Sequence, residues 1–101
     1  MAVSVDRQGV VVLCSTGSIG RSTLDVIAAH PDRFTVVALA AGRNVDSLVE
    51  QVEQFQPSYV AAIGALHPGR LTNVRIVDGR DALVELATLP EAEIVVVATT
   101  G

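Results

Sequence analysis

The sequence has few aromatic residues, few basic residues and a single cysteine. Aromatic residues make up 3% of the 101 residues, so any hydrophobic core must be built from aliphatic side chains. Only 7 residues are Lys or Arg against 11 Asp or Glu, which leaves no basic stripe that could follow a nucleic acid backbone. Cys14 has no second cysteine to pair with, and no Cys or His cluster has the spacing of metal ligands. We therefore expect no nucleic acid partner, no internal disulfide and no metal site in this chain.

Long apolar segments are also lacking. Residues 1–9 do not contain the apolar core of a signal peptide, and the longest apolar runs are far shorter than a membrane span. An unpaired cysteine is compatible with a reducing compartment. We expect a soluble, cytoplasmic protein that does not engage a membrane.

Apolar residues make up half of the chain. The aliphatic ones occur in short runs that alternate with helical patterns. Strands are predicted at residues 10–13, 34–40, 59–63, 74–77 and 94–98, helices at 19–29, 45–55 and 81–87, and a loop at 64–73. Strands that alternate with helices form right-handed crossovers and a parallel sheet. The sequence therefore predicts an α/β fold, a Rossmann-like parallel sheet of about five strands with flanking helices, in the order 4-3-2-1-5.

The turn between the first strand and the first helix reads Ser15-Thr16-Gly17-Ser18-Ile19-Gly20. Free N–H groups at a helix start, together with the positive end of the helix dipole, form a site for a pyrophosphate. Gly17 would let the backbone approach the phosphates, and Gly20 would let the helix pack closely. The hydroxyls of Ser15, Thr16 and Ser18 could donate to phosphate oxygens. The turn predicts a dinucleotide site, and the alternative is a glycine-rich turn without a ligand.

Cys14 stands where a pattern of three glycines would have its first glycine. That glycine serves the tight turn, so we expect the Cβ of Cys14 to displace the loop slightly. No His or Lys lies nearby in the sequence to activate the thiol, which argues against a nucleophile. We interpret Cys14 as a small core residue.

The end of the second strand indicates which dinucleotide is bound. NAD-binding domains of this kind have an acidic residue here for the ribose 2′-hydroxyl, but this chain has Gly42, Arg43 and Asn44. A guanidinium suits a 2′-phosphate, so Arg43 favours NADP(H). Asn44 could donate to the same phosphate or cap the second helix. A solvated loop charge is the alternative for Arg43.

Three segments together carry a family resemblance. They are residues 15–20, the Ser-Thr-Leu-Asp-Val segment at residues 22–26, and residues 36–44, which end in Ala-Gly-Arg-Asn. They resemble the N-terminal part of the 1-deoxy-D-xylulose 5-phosphate reductoisomerase family, NADPH-dependent enzymes of the non-mevalonate route to isoprenoids, and residues 94–101 are similar to a further family segment. The chain departs from the family pattern at Cys14, at Val97 in place of Asn, and at Thr99-Thr100 in place of Ile-Val. The resemblance implies that NADPH contacts Thr16, Gly17, Ser18, Ile19, Gly42, Arg43 and Asn44.

The resemblance also implies a reaction for the full-length protein. A sugar phosphate would be isomerised and then reduced by NADPH to 2-C-methyl-D-erythritol 4-phosphate, with Mg²⁺ or Mn²⁺ as the metal. The metal carboxylates and the substrate-phosphate site of the family come from chain beyond Gly101, so we assign no catalytic or metal-binding residue here. The expected partners are the small-molecule coenzyme and, only with the missing domains, the sugar phosphate.

The last predicted strand, residues 94–98, is apolar throughout and only three residues follow it. We expect residues 1–101 to be an incomplete NADP(H)-binding domain that lacks the catalytic and C-terminal domains and has no activity alone. The uncovered strand also favours a homo-oligomer. Two alternatives stay open: the coenzyme domain of another NADP-dependent dehydrogenase, such as a semialdehyde dehydrogenase, and a non-catalytic nucleotide-sensing module.

Overall fold

The computed structural model describes residues 7–42, 44–62, 71, 73–79 and 81–98. In chain order, its elements are β1 (Gln8–Leu13), α1 (Ser18–Ala29), β2 (Phe34–Ala41), α2 (Val45–Phe55), β3 (Tyr59–Ala62), β4 (Arg75–Ile76), α3 (Ala82–Ala87) and β5 (Ile94–Val97). Each predicted strand and helix is present. Of the predicted loop at 64–73, all but Leu71 and Asn73 lies outside the described residues, as does Ile63 at the predicted end of the third strand.

The described strands form a parallel sheet in the order β4-β3-β2-β1-β5, which confirms the predicted order. The decisive pairing is between β1 and β5, where Val10 is opposite Ile94 and Leu13 is opposite Val97. Strands β1 to β4 are therefore added in one direction across the sheet, and β5 is added on the opposite side of β1. In open α/β sheets, ligands bind beyond the carboxyl ends of the strands at such a switch point.

Two strands, β1 and β4, differ by two residues in length from their predicted extents, and β2 and β5 differ by one residue. β1 begins at Gln8 because its first residues already pair with Phe34 and Thr35 of β2. β4 consists of Arg75 and Ile76 alone, and it pairs only with the first half of β3. Among the described strands, β4 pairs with β3 alone, and short strands are common at the edge of a sheet.

The core lies on both faces of the sheet. Val10 and Val12 of β1 belong to a cluster with residues of α1 and α2, whereas Val11 and Leu13 belong to a second cluster with α3. All four are buried, as expected where successive side chains of a strand point to opposite faces. Burial on both faces explains why this strand is apolar without alternation.

The ends of α2 follow local rules. Asn44 is its N-cap, and Gln56 is its C-cap in the left-handed conformation, with φ 50°. Pro57 follows and cannot continue a helix. Within the described residues, no helix has both the length and the apolar character that a membrane crossing needs.

Candidate functional site

The turn after β1 leads into α1 with its first backbone donors open. Gly17 is the N-cap residue in an extended conformation (φ −78°, ψ 174°), and no side chain caps the helix. Among the described residues, none accepts a hydrogen bond from the N–H groups of Ser18, Ile19 or Gly20. The first turn of α1 also contains no acidic side chain. Unsatisfied donors at the positive end of a helix dipole attract anions, so this turn has the geometry of an anion site.

The anion site lies at the switch point of the sheet. Ala98, directly after β5, donates its N–H to the Leu13 carbonyl at 3.0 Å, so β5 ends beside the turn. A Cβ on Gly17 would lie 4.0 Å from the Ala98 carbonyl oxygen. The predicted strand order also places Gly17 and Gly101 on either side of the switch point, but Gly101 is outside the described residues.

The two glycines of the turn have different roles. A Cβ on Gly20 would lie 2.5 Å from the Cys14 carbonyl oxygen and 2.7 Å from the Ser15 Cα, too close for backbone atoms that cannot move aside. A Cβ on Gly17 would have its nearest neighbour, the same Cys14 oxygen, at 3.7 Å, which is an ordinary contact. Gly20 is therefore needed for the packing of α1 on the turn, as predicted. The fold leaves space at Gly17.

Cys14 occupies the tight position of the turn. Its φ is 67°, in the left-handed region that glycine adopts without steric cost. The Cys14 carbonyl accepts a hydrogen bond from the Gly17 N–H at 3.4 Å. The turn therefore requires the conformation of a glycine at this position, and the cysteine adopts it.

The prediction that Ser15 donates to a phosphate does not agree with the structure. Its side chain is 0% exposed, and its hydroxyl donates to the Gln51 Oε1 at 2.7 Å. Thr16 is half-buried and Ser18 is exposed, and neither hydroxyl is hydrogen-bonded to another described residue. Ile19 is exposed beside them. Ser15 is thus buried beneath the turn and hydrogen-bonded to α2, while Thr16, Ser18 and Ile19 remain accessible to a ligand.

The corner after β2 brings Gly42 and Asn44 to the same edge of the sheet. Gly42 is half-buried, with open space where a Cβ would be. The Asn44 Oδ1 accepts a hydrogen bond from the Ser47 N–H at 3.2 Å, so Asn44 caps α2. Its side-chain NH₂ group remains as a possible donor to an anion. Arg43 lies outside the described residues.

Two residues near the site were missed by sequence reasoning. Gln51 of α2 makes two hydrogen bonds to Ser15, and Arg21 of α1 donates to the Ser47 hydroxyl at 3.3 Å. The only signal for Gln51 is its place on the helix, between the buried Leu48 and Val52. A polar residue at the border of an apolar face indicates a buried partner, but the sequence does not identify that partner.

The described residues do not offer a metal site. No group of three or more His, Cys, Asp or Glu side chains comes together within the described ranges.

A comparison with family models shows which family the chain belongs to. Residues 10–101 match the model of 1-deoxy-D-xylulose 5-phosphate reductoisomerase. The chain belongs to the 1-deoxy-D-xylulose 5-phosphate reductoisomerase family. The resemblance carried by the three sequence segments is confirmed.

Relatives of the reductoisomerase family match nearly the whole chain. The reductoisomerase of Thermomicrobium roseum is 52% identical over 99 residues, which cover 94% of this chain and 25% of the relative. That of Methylococcus capsulatus is 45% identical over 103 residues, covering 93% of this chain and 26% of the relative. The chain thus spans about a quarter of the length of the curated reductoisomerases it matches.

Solved reductoisomerases share the fold. A reductoisomerase in complex with NADPH, fosmidomycin and magnesium superimposes with a TM-score of 0.78 and 29% identity, covering 91% of this chain and 24% of that one. The Zymomonas mobilis reductoisomerase in complex with NADPH gives a TM-score of 0.74 and 33% identity, covering 85% of this chain and 24% of that one. The Rossmann-like fold predicted from the sequence is thereby confirmed.

Proposed function

We propose that this chain is the NADPH-binding part of a 1-deoxy-D-xylulose 5-phosphate reductoisomerase. The observation that carries the proposal is the uncapped N-terminus of α1, with Gly17 open at the switch point between β1 and β5. Family relatives solved with NADPH support the same assignment. The family match disfavours the coenzyme domain of another dehydrogenase, and no feature of the described residues favours a sensing module.

Two groups of residues would hold the coenzyme. The N–H groups and hydroxyls of the α1 turn would bind the pyrophosphate, through Thr16, Gly17, Ser18 and Ile19. The corner after β2 would bind the 2′-phosphate, through Gly42, Arg43 and Asn44.

The reaction of the full-length protein is also a proposal. NADPH supplies the hydride that reduces the rearranged sugar phosphate, while this chain would bind and orient the coenzyme. The described residues do not fit a divalent metal, so Mg²⁺ or Mn²⁺ would be held by parts of the protein outside these residues. The catalytic and C-terminal domains and the sugar-phosphate site would belong to those parts as well. A homo-oligomeric state and a cytoplasmic location remain predictions.

Coenzyme titrations of the chain and of Arg43→Ala test the coenzyme assignment. The unsubstituted chain should bind NADPH more tightly than NADH. The 2′-phosphate of NADPH can pair with the guanidinium of Arg43, and no acidic residue directly after β2 repels it. Arg43→Ala should weaken NADPH binding by roughly 1.5–3 kcal/mol, the usual contribution of a hydrogen bond to a charged group, and leave NADH nearly unchanged. Isothermal titration calorimetry measures both affinities.

Arg33→Ala is the matched control, since Arg33 is an exposed arginine in the loop before β2. It removes the same charge from the chain and should change neither affinity. Equal titration curves for NADPH and NADH on the unsubstituted chain would contradict the assignment to NADP(H).

A further inference from the structure

Ser15 is fully enclosed, and each of its polar groups has a partner. Its N–H donates to the Ala40 carbonyl at 2.7 Å, and its hydroxyl donates to the Gln51 Oε1 at 2.7 Å. Its carbonyl accepts from the Gln51 Nε2 at 2.9 Å. The side chain of Gln51 thus forms a reciprocal pair of hydrogen bonds with one residue, although 36 positions separate the two in the sequence.

This pair connects the two halves of the candidate site. Ser15 precedes the open N–H groups of α1, and α1 packs on the backbone of Cys14 and Ser15 at Gly20. Gln51 belongs to α2, the helix that begins at Asn44 in the corner after β2. The direction of the Ser15 peptide group therefore fixes where the first donors of α1 point, and α2 holds that peptide group.

We propose that Gln51 is a positioning residue for coenzyme binding. Its paired hydrogen bonds to Ser15 hold the turn in the arrangement that the pyrophosphate needs, and they tie the turn to the helix that starts at the 2′-phosphate corner. Gln51 acts through Ser15. This inference rests on the proposed function, and it adds a residue to which neither the motifs nor the family resemblance assigns a role.

The other polar side chains between α1 and α2 do not offer an equivalent link. Arg21 reaches the Ser47 hydroxyl at 3.3 Å, but this contact is exposed to solvent, where a hydrogen bond adds little. Gln54 lies on the same helix as Gln51, is exposed, and makes no hydrogen bond to another described residue. Gln54 is therefore a matched control for Gln51.

The first test compares Gln51→Met with Gln54→Met. Met has about the length of Gln and no amide, so Gln51→Met removes both hydrogen bonds to Ser15. We expect it to weaken NADPH binding about tenfold, because a buried hydrogen bond contributes a factor of a few and two are lost. Binding of adenosine 2′-monophosphate, which has no pyrophosphate, should change less than about twofold because α2 and its corner remain. Gln54→Met should change neither.

A merely structural role for Gln51 would reduce the binding of both ligands alike. Equal losses for NADPH and adenosine 2′-monophosphate would therefore overturn the proposal, as would unchanged NADPH binding by Gln51→Met. Unfolding by urea, measured in parallel, identifies conditions in which every variant is folded.

Gln51→Glu gives a conservative rescue. A protonated carboxyl has one O–H donor and one acceptor oxygen, so it can reproduce the reciprocal pair with Ser15. The ionised form has no donor and repels the Ser15 carbonyl. Partial burial raises the pKa of the introduced carboxyl, so the matching form is present at low pH and is lost as pH rises.

We therefore compare the NADPH affinity of Gln51→Glu with that of the unsubstituted chain at the same pH. As the pH falls from about 8 to about 5, the affinity of the variant should rise toward that of the unsubstituted chain. A flat relative profile would count against the proposal. Titration of the coenzyme phosphates and of the chain's own groups affects both affinities alike, so it cancels in their ratio.

Hydrogen exchange without ligand separates this inference from the proposed function. Gln51→Met should speed amide exchange at Ser15 and Gly17, whose N–H groups are hydrogen-bonded within the turn region, and leave β1 and β2 protected, while Gln54→Met should not change the turn. If the unsubstituted chain binds no NADPH, the proposed function and the coenzyme role of Gln51 both fail. Faster exchange would then still show that Gln51 orders the turn. Unchanged exchange in the turn of Gln51→Met would overturn the positioning role itself.

Discussion

Cys14 carries a local conformational cost in the phosphate turn. Its φ of 67° lies in the left-handed region, where a side chain with a Cβ costs roughly 1–2 kcal/mol relative to glycine. The turn does not relax this strain, because the Cys14 carbonyl is engaged by the Gly17 N–H and lies against Gly20. A glycine would adopt the same backbone without the strain.

Cys14→Gly should therefore stabilise the chain. It should also tighten NADPH binding, because without the Cβ the turn can adjust to the pyrophosphate. The relieved strain exceeds the added entropy of the unfolded chain, so we expect the free energy of unfolding to rise by about 0.5–1 kcal/mol. Urea denaturation measures the stability, and calorimetric titration measures the affinity. Unchanged or weaker binding would mean that cysteine already fits the turn.

Gln56→Gly is the control for this substitution. Gln56 is also left-handed, with φ 50°, but it ends α2 far along the chain from the turn. Its replacement should stabilise the chain similarly and leave the NADPH affinity unchanged. A gain in affinity from both variants would assign the effect to stability alone.

At the residue scale, the sequence predicted which positions form the turn but not the direction of each side chain. Ser15 was expected to face the phosphate because it lies in a hydroxyl-rich turn. Its true partner, Gln51, lies on another element, and only the packing of α2 against the turn brings the two together. Such a contact depends on the angle between elements, which spacing along the chain does not contain.

At the scale of the element, the start of α1 combines Gly20, which the packing of the helix needs, with the N-cap Gly17, which we propose to bind the coenzyme. Gly17→Ser should leave stability unchanged or raise it by a few tenths of a kcal/mol, because serine is a good N-cap and its Cβ has space. The same hydroxyl would occupy the first-turn N–H groups, so NADPH binding should weaken. Gly20→Ser should instead lower the free energy of unfolding by about 1–3 kcal/mol, since its Cβ meets backbone.

Thermal unfolding and NADPH titration of the two serine variants measure this difference. The two substitutions are chemically identical and three positions apart, so each controls for the other. A loss of stability in Gly17→Ser equal to that in Gly20→Ser would contradict the division of roles.

Whole elements were predictable because their patterns are long. Helix α2 has the predicted bounds, since its apolar period and the flanking Asn44 and Pro57 agree. The parallel sheet followed from the alternation of strands and helices, and the strand order followed from the Rossmann-like fold that the glycine-rich turn indicates. The length of β4 did not follow, because the extent of an edge strand depends on how far its neighbour pairs with it.

At the scale of the whole molecule, β5 lies at one edge of the sheet that the described strands form, and its apolar flank is exposed. Val95 and Val97 are 37% and 61% exposed, and Val84 of α3 is 61% exposed. Where β5 pairs with β1, Val95 and Val97 are opposite Val11 and Leu13. Their side chains therefore point to the side of the sheet that α3 covers. An uncovered edge of this kind favours strand pairing between copies.

We therefore expect the chain to form dimers or larger species with β5 at or near the contact. Val97→Lys should shift it toward monomer, because a charged side chain on an edge strand opposes pairing. Val26→Lys is the control, since Val26 of α1 is 57% exposed at a different surface. Light scattering coupled to size exclusion measures the mass. A monomer at high concentration for the unsubstituted chain would contradict association.

The chain alone should not catalyse the family reaction. The described residues gather no metal-binding cluster, and hydride transfer also needs a substrate held close to the nicotinamide. Loss of NADPH absorbance, followed with 1-deoxy-D-xylulose 5-phosphate and Mg²⁺, should match a sample without protein. A full-length reductoisomerase in the same assay is the positive control. Substrate-dependent oxidation by this chain would contradict the prediction.

The position of Tyr59 gives the molecule an optical signal for unfolding. Tyr59 is the chain's single tyrosine, the chain has no tryptophan, and its ring packs in the cluster beside α3 with its hydroxyl 3.5 Å from Glu91. As the first residue of β3, it lies at the amino end of the sheet, opposite the edge that carries the candidate site. Its near-ultraviolet emission, recorded before any coenzyme is added, should therefore follow unfolding, and the longer-wavelength emission of added NADPH should follow binding. Two successive readings on one sample can thus show whether a substituted chain is folded before its affinity is measured.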